Sequence, residues 1–295
     1  MMITYGSAGE PLARATANIL GYSVLNVKRR LFPDGEQYLR LLGDFESGTA
    51  AVFQPLFPSP DSLFIELALI ADALRGVGCK KVIGVLPYVA YLRQDERFIA
   101  GEPLSAKLIA RLIEAAGIDS LIAVDMHLHR YSHPRDLFRI EARNISAMPL
   151  LAKYYREKHP ESDPLVVGPD AESHQWASSV ASILKADFVV LEKERLGDRE
   201  VRVSEIGGIN GREVVIVDDM VSTGKTLVEV VSRLKAEGAS RVDAIVSHAL
   251  LVEDAYRSLK MAGLSDLIAS DTIPSRHSQV SVAPLIAAEL KGAFP

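Results

Sequence analysis

The chain has 295 residues, of which 48% are hydrophobic and 24% charged, enough for two α/β domains of ordinary size. Its 33 lysines and arginines against 38 acidic residues give a formal charge of −5, so no general basic field predicts a nucleic acid or an anionic membrane as partner. The single cysteine excludes an internal disulfide, and neither a secretory signal nor a transmembrane helix is predicted, so we expect a cytoplasmic protein that binds small molecules.

Short β-rich runs alternate with helical patterns along the chain, which predicts parallel sheets joined by right-handed crossovers. Strands are predicted near residues 2–5, 50–54, 81–86, 121–124, 165–167, 188–191, 214–217 and 242–247. Helices are predicted near residues 11–20, 61–75, 105–116, 149–158, 174–184, 226–236, 253–261 and 283–290. The strands are too many for one minimal sheet, and a polar stretch at 158–164 interrupts the pattern. We therefore expect an α/β protein of two domains, residues 1–148 and 149–295, with the last helix packing back on the first half.

The segment from Pro87 to Lys107 joins a buried strand to a helix. It passes Arg93, Gln94 and Arg97 and returns to regular structure near Pro103, a residue that suits the first turn of a helix. We expect a polar, flexible loop, and arginines beside an anion site are typical of a lid. An exposed charged loop without a ligand is the alternative that the local pattern leaves open.

Polar residues follow several of the predicted strands. They lie at residues 125–127, at Asp170, at residues 192–195 and at the Asp218–Asp219 pair. The carboxyl edge of a parallel sheet is where such folds bind ligands. One such residue alone is more often a helix cap, but four strand ends of this kind predict a ligand site.

The most informative stretch, residues 213–226, is an apolar run that ends in two carboxylates and a turn of small residues. Four consecutive β-branched residues predict a strand buried on both faces, and the apolar spacing after the turn predicts a helix. Ionised Asp218 and Asp219 are hydrogen-bond acceptors suited to the vicinal hydroxyls of a ribose. The turn that follows offers hydroxyls and backbone N–H groups at a helix N-terminus, and these residues are Ser222, Thr223, Gly224, Lys225 and Thr226. Together they predict a site for ribose 5-phosphate.

A nucleotide P-loop is excluded for this stretch because the signature needs a glycine five residues before Gly224, where Asp219 stands. The remaining alternative is a solvated loop in which the aspartate pair caps a helix.

Residues 213–226 resemble the phosphoribosyl-diphosphate-binding loop of the phosphoribosyltransferase fold. Further segments occur in the order and approximate spacing of the ribose-phosphate diphosphokinase family: residues 32–36, 91–95, 101–107, 125–127, 168–170, 193–195, 217–226 and 281–284. The short segment 193–199 and the Val-Ser-Thr-Gly form of the loop look most like archaeal-type members. The resemblance implies two phosphoribosyltransferase-like domains that make 5-phosphoribosyl 1-diphosphate and AMP from ATP and ribose 5-phosphate.

The resemblance also implies roles in binding ATP. Phe32, Asp34, Gly35 and Glu36 would hold the adenine and reach into the site of a neighbouring subunit, which implies a homo-oligomer built from dimers. By local pattern alone, Phe32 is equally a core residue and Asp34–Gly35 a plain hairpin turn. Further ATP contacts are implied for Arg93, Gln94 and His127.

The chemical step is assigned by the same resemblance. His127 and Asp170 would position the Mg²⁺ bound with the triphosphate, and Lys193 and Arg195 would be the catalytic cations, with Arg195 also contacting ribose 5-phosphate. The local pattern alone would make Lys193 and Arg195 a surface pair on an edge strand.

Some residues depart from the family pattern. Ser222 and Lys225 stand where other residue types are frequent, and residues 172–176 replace the small residues common after Asp170. The spacing of His127, His129 and His133 also raises a zinc site as an alternative, although no cysteine lies nearby and a structural site needs four ligands; solvated loop histidines are the simpler interpretation.

Two other functions compete with the diphosphokinase. A nucleobase phosphoribosyltransferase would use the same loop, but it needs only one such domain and no adenine-binding segment. A non-catalytic regulatory homologue is expected to lose catalytic residues, whereas Lys193, Arg195, His127 and Asp170 are all present. Neither the oligomer size nor control by phosphate or ADP follows from the sequence.

Overall fold

The computed structural model describes residues 1–45, 48–191, 193–195, 201–203 and 208–293. These residues form two units. The first comprises residues 1–145, 272–274 and 281–295, and the second comprises residues 146–271 and 275–280. Within the described ranges, no helix is both long and apolar enough to cross a lipid bilayer.

The first unit contains a five-stranded parallel sheet. In chain order its elements are β1 (Met2–Tyr5), α1 (Glu10–Leu20), β2 (Asn26–Leu31), β3 (Gln37–Leu42), β4 (Gly48–Phe53), α2 (Pro60–Gly76), β5 (Cys79–Val85), α3 (Ser105–Ala115), β6 (Ser120–Val124) and β7 (Glu141–Ile145). The strand order is β1-β4-β5-β6-β7, and β2 and β3 form a separate antiparallel hairpin. Most residues of β4 and β5 are buried, so the centre of the sheet forms the core.

The second unit contains a six-stranded parallel sheet and a short antiparallel ribbon. Its elements are α4 (Met148–Lys158), β8 (Leu165–Gly168), α5 (His174–Leu184), β9 (Phe188–Val190), β10 (Lys193–Arg195), β11 (Val201–Val203), β12 (Glu213–Val221), α6 (Lys225–Ala236), β13 (Arg241–Ala249), α7 (Ala255–Ala262), β14 (Asp266–Ser270) and β15 (Ser278–Val280). The strand order is β15-β14-β13-β12-β8-β9. The last helix, α8 (Ala283–Ala293), belongs to the first unit, where it packs against α1.

The β-branched run of β12 explains the core of the second unit. Val214, Val215, Ile216 and Val217 are fully buried between β8 and β13, as expected for a central parallel strand. Helix α6 covers one face with Leu227, Val230, Val231 and Leu234, which recur at helical spacing. These residues belong to one continuous apolar cluster.

The predicted α/β architecture of parallel-rich sheets flanked by helices is confirmed, and every predicted strand and helix is present within a few residues. Seven strands of the described residues were not in the predicted set: β2, β3, β7, β10, β11, β14 and β15. Both β2 and β3 expose charged residues along a hairpin, and β7 is a polar edge strand, so none shows the apolar signal of a buried strand. Strand β12 continues four residues beyond its predicted end at Val217, because pairing with β13 extends to Val221.

Candidate active site

Two carboxylates lie at the carboxyl end of β12. Asp218 is partly buried and pairs in register with Val246 of β13, while Asp219 is buried and its backbone N–H donates to Asp218 Oδ1 at 2.9 Å. Burial raises the pKa of Asp218 well above the ordinary carboxyl value, and the negative charges of Asp219 and Asp170 raise it further. The strand therefore ends in two adjacent carboxyl groups where further negative charge is disfavoured, which suits a ligand with hydroxyl groups better than a phosphate.

Asp170 reaches the same edge of the sheet because β8 is the neighbour of β12. Its Oδ1 accepts the backbone N–H of Glu172 at 3.2 Å and so caps the short 3-10 turn of residues 171–173. Ser173 is completely buried, and a Cβ on Gly168 would lie 2.3 Å from its hydroxyl oxygen. The residues after Asp170 that depart from the family pattern therefore serve local packing. Trp176, on α5, is also buried.

The turn between β12 and α6 exposes the start of a helix. Gly224 adopts a left-handed conformation with φ +74° directly before α6, and no side chain among the described residues caps this helix. The carbonyl of Ser222 accepts the backbone N–H of Val252 at 3.2 Å, which ties the turn to the loop after β13. Thr223 and Lys225 are exposed. The N–H groups of a first helical turn have no intrahelical acceptor, so this end of α6 could hold an anion a few residues from the carboxylates.

Lys193 and Arg195 lie on β10, which pairs with β11 in an antiparallel ribbon. Lys193 is opposite Val203, and Arg195 is opposite Val201. The predicted catalytic roles depend on side chains that lie outside the described part of the structure.

In the first unit, the segment 32–36 forms the turn of the β2–β3 hairpin. The N–H of Phe32 donates to Glu36 O at 2.8 Å, and Gly35, with φ +94°, donates to Phe32 O. Asp34 Oδ1 accepts the N–H of Glu36 at 3.1 Å. Asp34 and Glu36 are exposed, and Phe32 is half-buried. Of the local interpretation, the hairpin turn at Asp34–Gly35 is confirmed, whereas Phe32 is not a core residue.

The loop after β5 is only partly the flexible segment that we predicted. Its first half is anchored: Leu92 is buried, and the carbonyl and side chain of Gln94 accept hydrogen bonds from Ala106 N and Ser105 Oγ at the start of α3. The exposed part is residues 97–101, where Phe98 and Ile99 are 61% and 68% exposed. Arg93 is exposed at the end of the anchored half.

His127 follows β6, the strand beside β5, so it shares a sheet edge with the start of that loop. Asp125 has φ +37°, and Met126 N donates to Asn144 Oδ1 at 2.8 Å, which fixes the backbone just before His127. The ring nitrogens His127 Nδ1 and His129 Nε2 are 2.8 Å apart. His129 is therefore a half-buried loop residue that pairs with His127, whereas His133 is exposed, as predicted for a solvated loop residue.

Arg130 connects the two loops of this edge. Its guanidinium pairs with Asp95 at 3.3 Å and with Glu96 at 2.6 Å. No local sequence pattern marks Asn144 or Arg130. The His-x-His spacing singles out His129, but it indicates a metal ligand or a loop residue and not a partner of His127.

Comparisons with known proteins match both units. The N-terminal domain of ribose phosphate pyrophosphokinase matches residues 1–117, and the phosphoribosyl transferase domain matches residues 135–272. The chain is 39% identical to a ribose-phosphate pyrophosphokinase of Methanopyrus kandleri, over 97% of both chains. It is 37% identical to that of Methanothermobacter thermautotrophicus, over 98% of this chain and 100% of the relative.

A solved structure also matches over the full length. The crystal structure of phosphoribosylpyrophosphate synthetase from Mycobacterium smegmatis has a TM-score of 0.88 at 29% identity and covers 99% of this chain and 98% of its own. These matches confirm the two phosphoribosyltransferase-like domains and the archaeal-type resemblance, and they favour the diphosphokinase over a single-domain nucleobase phosphoribosyltransferase. The chain belongs to the ribose-phosphate pyrophosphokinase family.

Proposed function

We propose that the protein transfers the β,γ-diphosphoryl group of ATP to the 1-hydroxyl of ribose 5-phosphate, which gives 5-phosphoribosyl 1-diphosphate and AMP. The observation that carries this proposal is the order of groups at the end of β12. Two carboxylates, which accept hydrogen bonds from hydroxyls, are followed by the uncapped N-terminus of α6, which favours an anion. A ribose 5-phosphate has the matching order of groups, with vicinal hydroxyls at one end and a phosphate at the other.

The second unit binds the acceptor sugar. The 5-phosphate accepts hydrogen bonds from the N-terminal turn of α6 and from the hydroxyls of Ser222, Thr223 and Thr226, while Lys225 adds positive charge. Asp218 and Asp219 accept hydrogen bonds from the ribose hydroxyls. The left-handed conformation of Gly224 gives the phosphate close access to the backbone.

ATP is bound by the candidates in the first unit. Arg93 pairs with phosphate oxygens, and Gln94, whose side-chain oxygen is oriented by the hydroxyl of Ser105, donates from its N–H₂ group. Phe32 offers an aromatic face to the adenine, and Asp34, Gly35 and Glu36 offer acceptors for its exocyclic amine. Because these groups lie on an exposed hairpin turn, we propose that they serve the site of a partner copy in a homo-oligomer built from dimers.

Mg²⁺ fits the donor set of the candidate metal residues. Asp170 supplies a partly exposed carboxylate at the end of β8, and Mg²⁺ usually takes few protein ligands because it keeps several waters. We assign Asp170 to this ion and His127 to the metal-bound triphosphate. When bound, Mg²⁺ neutralises charge on the triphosphate.

The chemical step is an in-line displacement at the β-phosphorus of ATP. The anomeric oxygen of the sugar forms a bond to this phosphorus, its proton is released, and the bond to the α-phosphate oxygen breaks so that AMP leaves. Negative charge increases on the oxygens around the β-phosphorus. Lys193 and Arg195 stabilise this charge, a contribution whose loss typically costs about 10²–10³ in rate.

The test is a product analysis with Mg²⁺, ribose 5-phosphate and ATP labelled at the α-phosphate. We expect labelled AMP and an equal amount of 5-phosphoribosyl 1-diphosphate. Labelled ADP would indicate transfer of a single phosphoryl group and would refute the proposal. Absence of any nucleotide product, with ATP binding intact by calorimetry, would indicate a regulatory homologue.

A further inference from the structure

Arg30 lies over the ring that we assign to adenine binding. It is the penultimate residue of β2 and is directly opposite Tyr38 of β3. Its guanidinium carbon is 4.2 Å from the ring centroid of Phe32 and 4.5 Å from that of Tyr38. The two rings meet edge to face, with centroids 6.1 Å apart. One cation therefore contacts both aromatic side chains of the hairpin.

The positive charge of Arg30 is not neutralised by a carboxylate among the described residues. Its neighbour Arg29 points to the opposite face of the strand, where it pairs with the buried carboxylate of Glu66 and donates to the carbonyl of Tyr5. Arg30 is exposed and forms no ion pair with a carboxylate within the described ranges. Arg29 thus anchors the hairpin, whereas the guanidinium of Arg30 is directed at aromatic rings.

The orientation of the Phe32 ring depends on contacts of this kind because the ring is not packed in the hydrophobic core. It follows β2 at the turn of a two-stranded hairpin and is only half-buried. A phenyl ring at such a turn is free to change rotamer unless neighbouring side chains restrict it. Cation–π and edge-to-face contacts both depend on ring orientation, so Arg30 and Tyr38 select one orientation of the Phe32 ring.

We infer that Arg30 is a positioning residue for ATP binding: it covers one face of Phe32 and leaves the other face for the adenine. This inference rests on the proposed function, because it takes Phe32 as the adenine contact. Arg30 does not touch the reacting atoms. Its removal is expected to weaken ATP binding and to leave the chemical step and the sugar site unchanged.

The test compares Arg30→Met with Lys28→Met. Lys28 is two residues earlier on the same strand, so it points to the same face, and it is also exposed and basic. Both substitutions remove one positive charge and keep a long apolar side chain, but only the first removes contacts to rings. We expect Arg30→Met to raise the Kd and the KM for ATP about three- to tenfold, with kcat and the KM for ribose 5-phosphate within about twofold of wild type. Lys28→Met should leave all four constants unchanged.

Arg30→Lys provides a conservative rescue, because an ammonium keeps the cation–π attraction but loses the planar stacking. Its Kd for ATP should lie between those of wild type and Arg30→Met. Equal weakening by Lys28→Met would show a general charge effect, and a parallel rise in both KM values would show a structural role; either result overturns the inference.

Phe32→Ala separates this inference from the proposed function. If Phe32→Ala weakens ATP binding and Arg30→Met does not, the positioning role is wrong and the adenine role of Phe32 stands. If wild type forms no AMP, the proposed reaction is wrong, yet the calorimetric Kd values for ATP still decide whether Arg30 acts through Phe32.

Discussion

Substitution of Gly224 can distinguish an effect on the proposed phosphate site from an effect on the stability of the fold. Gly224 precedes α6 with φ +74° and ψ +3°, and Gly21 follows α1 with a similar left-handed backbone, φ +72° and ψ +27°. Replacing each glycine with alanine imposes the same backbone cost at two helix ends. Only one of the two ends carries the proposed anion site.

The stability cost is expected to be nearly equal for the two variants. A non-glycine residue in the left-handed region costs about 1–2 kcal/mol, and the lower entropy of the unfolded chain returns about 0.4–1 kcal/mol, which leaves a net loss of about 1 kcal/mol. A Cβ on Gly224 would lie 3.5 Å from Ala255 Cβ and 3.7 Å from the side chain of Leu259, which is ordinary contact, and a Cβ on Gly21 would meet nothing within 4 Å. Steric contacts therefore do not distinguish the two variants, and the Tm of each should fall by a few degrees.

The functional cost is expected to differ. Gly224→Ala can relieve its strain only by moving the turn before α6, and this movement turns the first N–H groups of the helix away from the phosphate. Loss of one such charge-assisted hydrogen bond corresponds to about 1.5–3 kcal/mol, or a rise of roughly 10- to 150-fold in the KM for ribose 5-phosphate. The KM for ATP should change little, and Gly21→Ala should retain wild-type kinetics.

The assay is steady-state formation of AMP with each substrate varied in turn, together with thermal unfolding of both variants. Wild-type KM values for Gly224→Ala, at a Tm lowered as much as that of Gly21→Ala, would refute the assignment of the α6 N-terminus as the phosphate site. An equal loss of activity in both variants would show that the effect comes from stability.

Three further side chains test stability, chemistry and loop position. Burial raises the pKa of Asp243, although Arg241 opposes the shift. Ionisation of Asp243 therefore lowers the stability of the wild type as the pH rises from about 3.9 to the folded-state pKa. The Tm of Asp243→Asn relative to the wild type should increase over this pH range and stay constant above it. Lys193→Ala should slow turnover by about 10²–10³ while calorimetry still detects ATP binding, and unchanged turnover would remove Lys193 from the mechanism. Tyr91 donates a hydrogen bond to the Asp61 carboxylate, so Tyr91→Phe should raise the KM for ATP several-fold and speed proteolysis at residues 97–101; wild-type values for both would exclude an anchoring role.

The parts of the fold that follow from apolar patterning could be predicted from the sequence. Strand β12 and helix α6 are examples, because a buried β-branched run and a 3.6-residue stripe each have one stable environment. Of the β2–β3 hairpin, the local sequence predicts only the turn, since the two strands expose charged residues and have little apolar pattern. Its proposed role in ATP binding is implied only by the resemblance to a family.

The loop after β5 shows why a polar composition is a poor guide to flexibility. Arginines and acidic residues suggested a mobile lid, but Leu92 inserts into the core and Gln94 bonds to α3. These anchors depend on partners more than ten residues away in sequence, so local composition contains no trace of them. The prediction of flexibility was too broad, since the continuous exposed stretch of this loop is limited to residues 97–101.

Backbone strain is a further property that the sequence does not reveal, and its distribution supports the site. Among the described residues, five other than glycine have positive φ: Tyr91, Asp125, Lys185, Leu251 and Glu253. Lys185 ends α5 in a left-handed cap, whereas the other four lie in the loops that follow β5, β6 and β13. Each left-handed residue costs about 1–2 kcal/mol, so these loops are held in conformations that their own residues do not prefer. Strain of this kind persists only where surrounding contacts impose it, such as the bond from Leu251 N to Val221 O beside the proposed phosphate turn. The concentration of strain at the carboxyl edges of both sheets is therefore a physical argument for function there, independent of any resemblance.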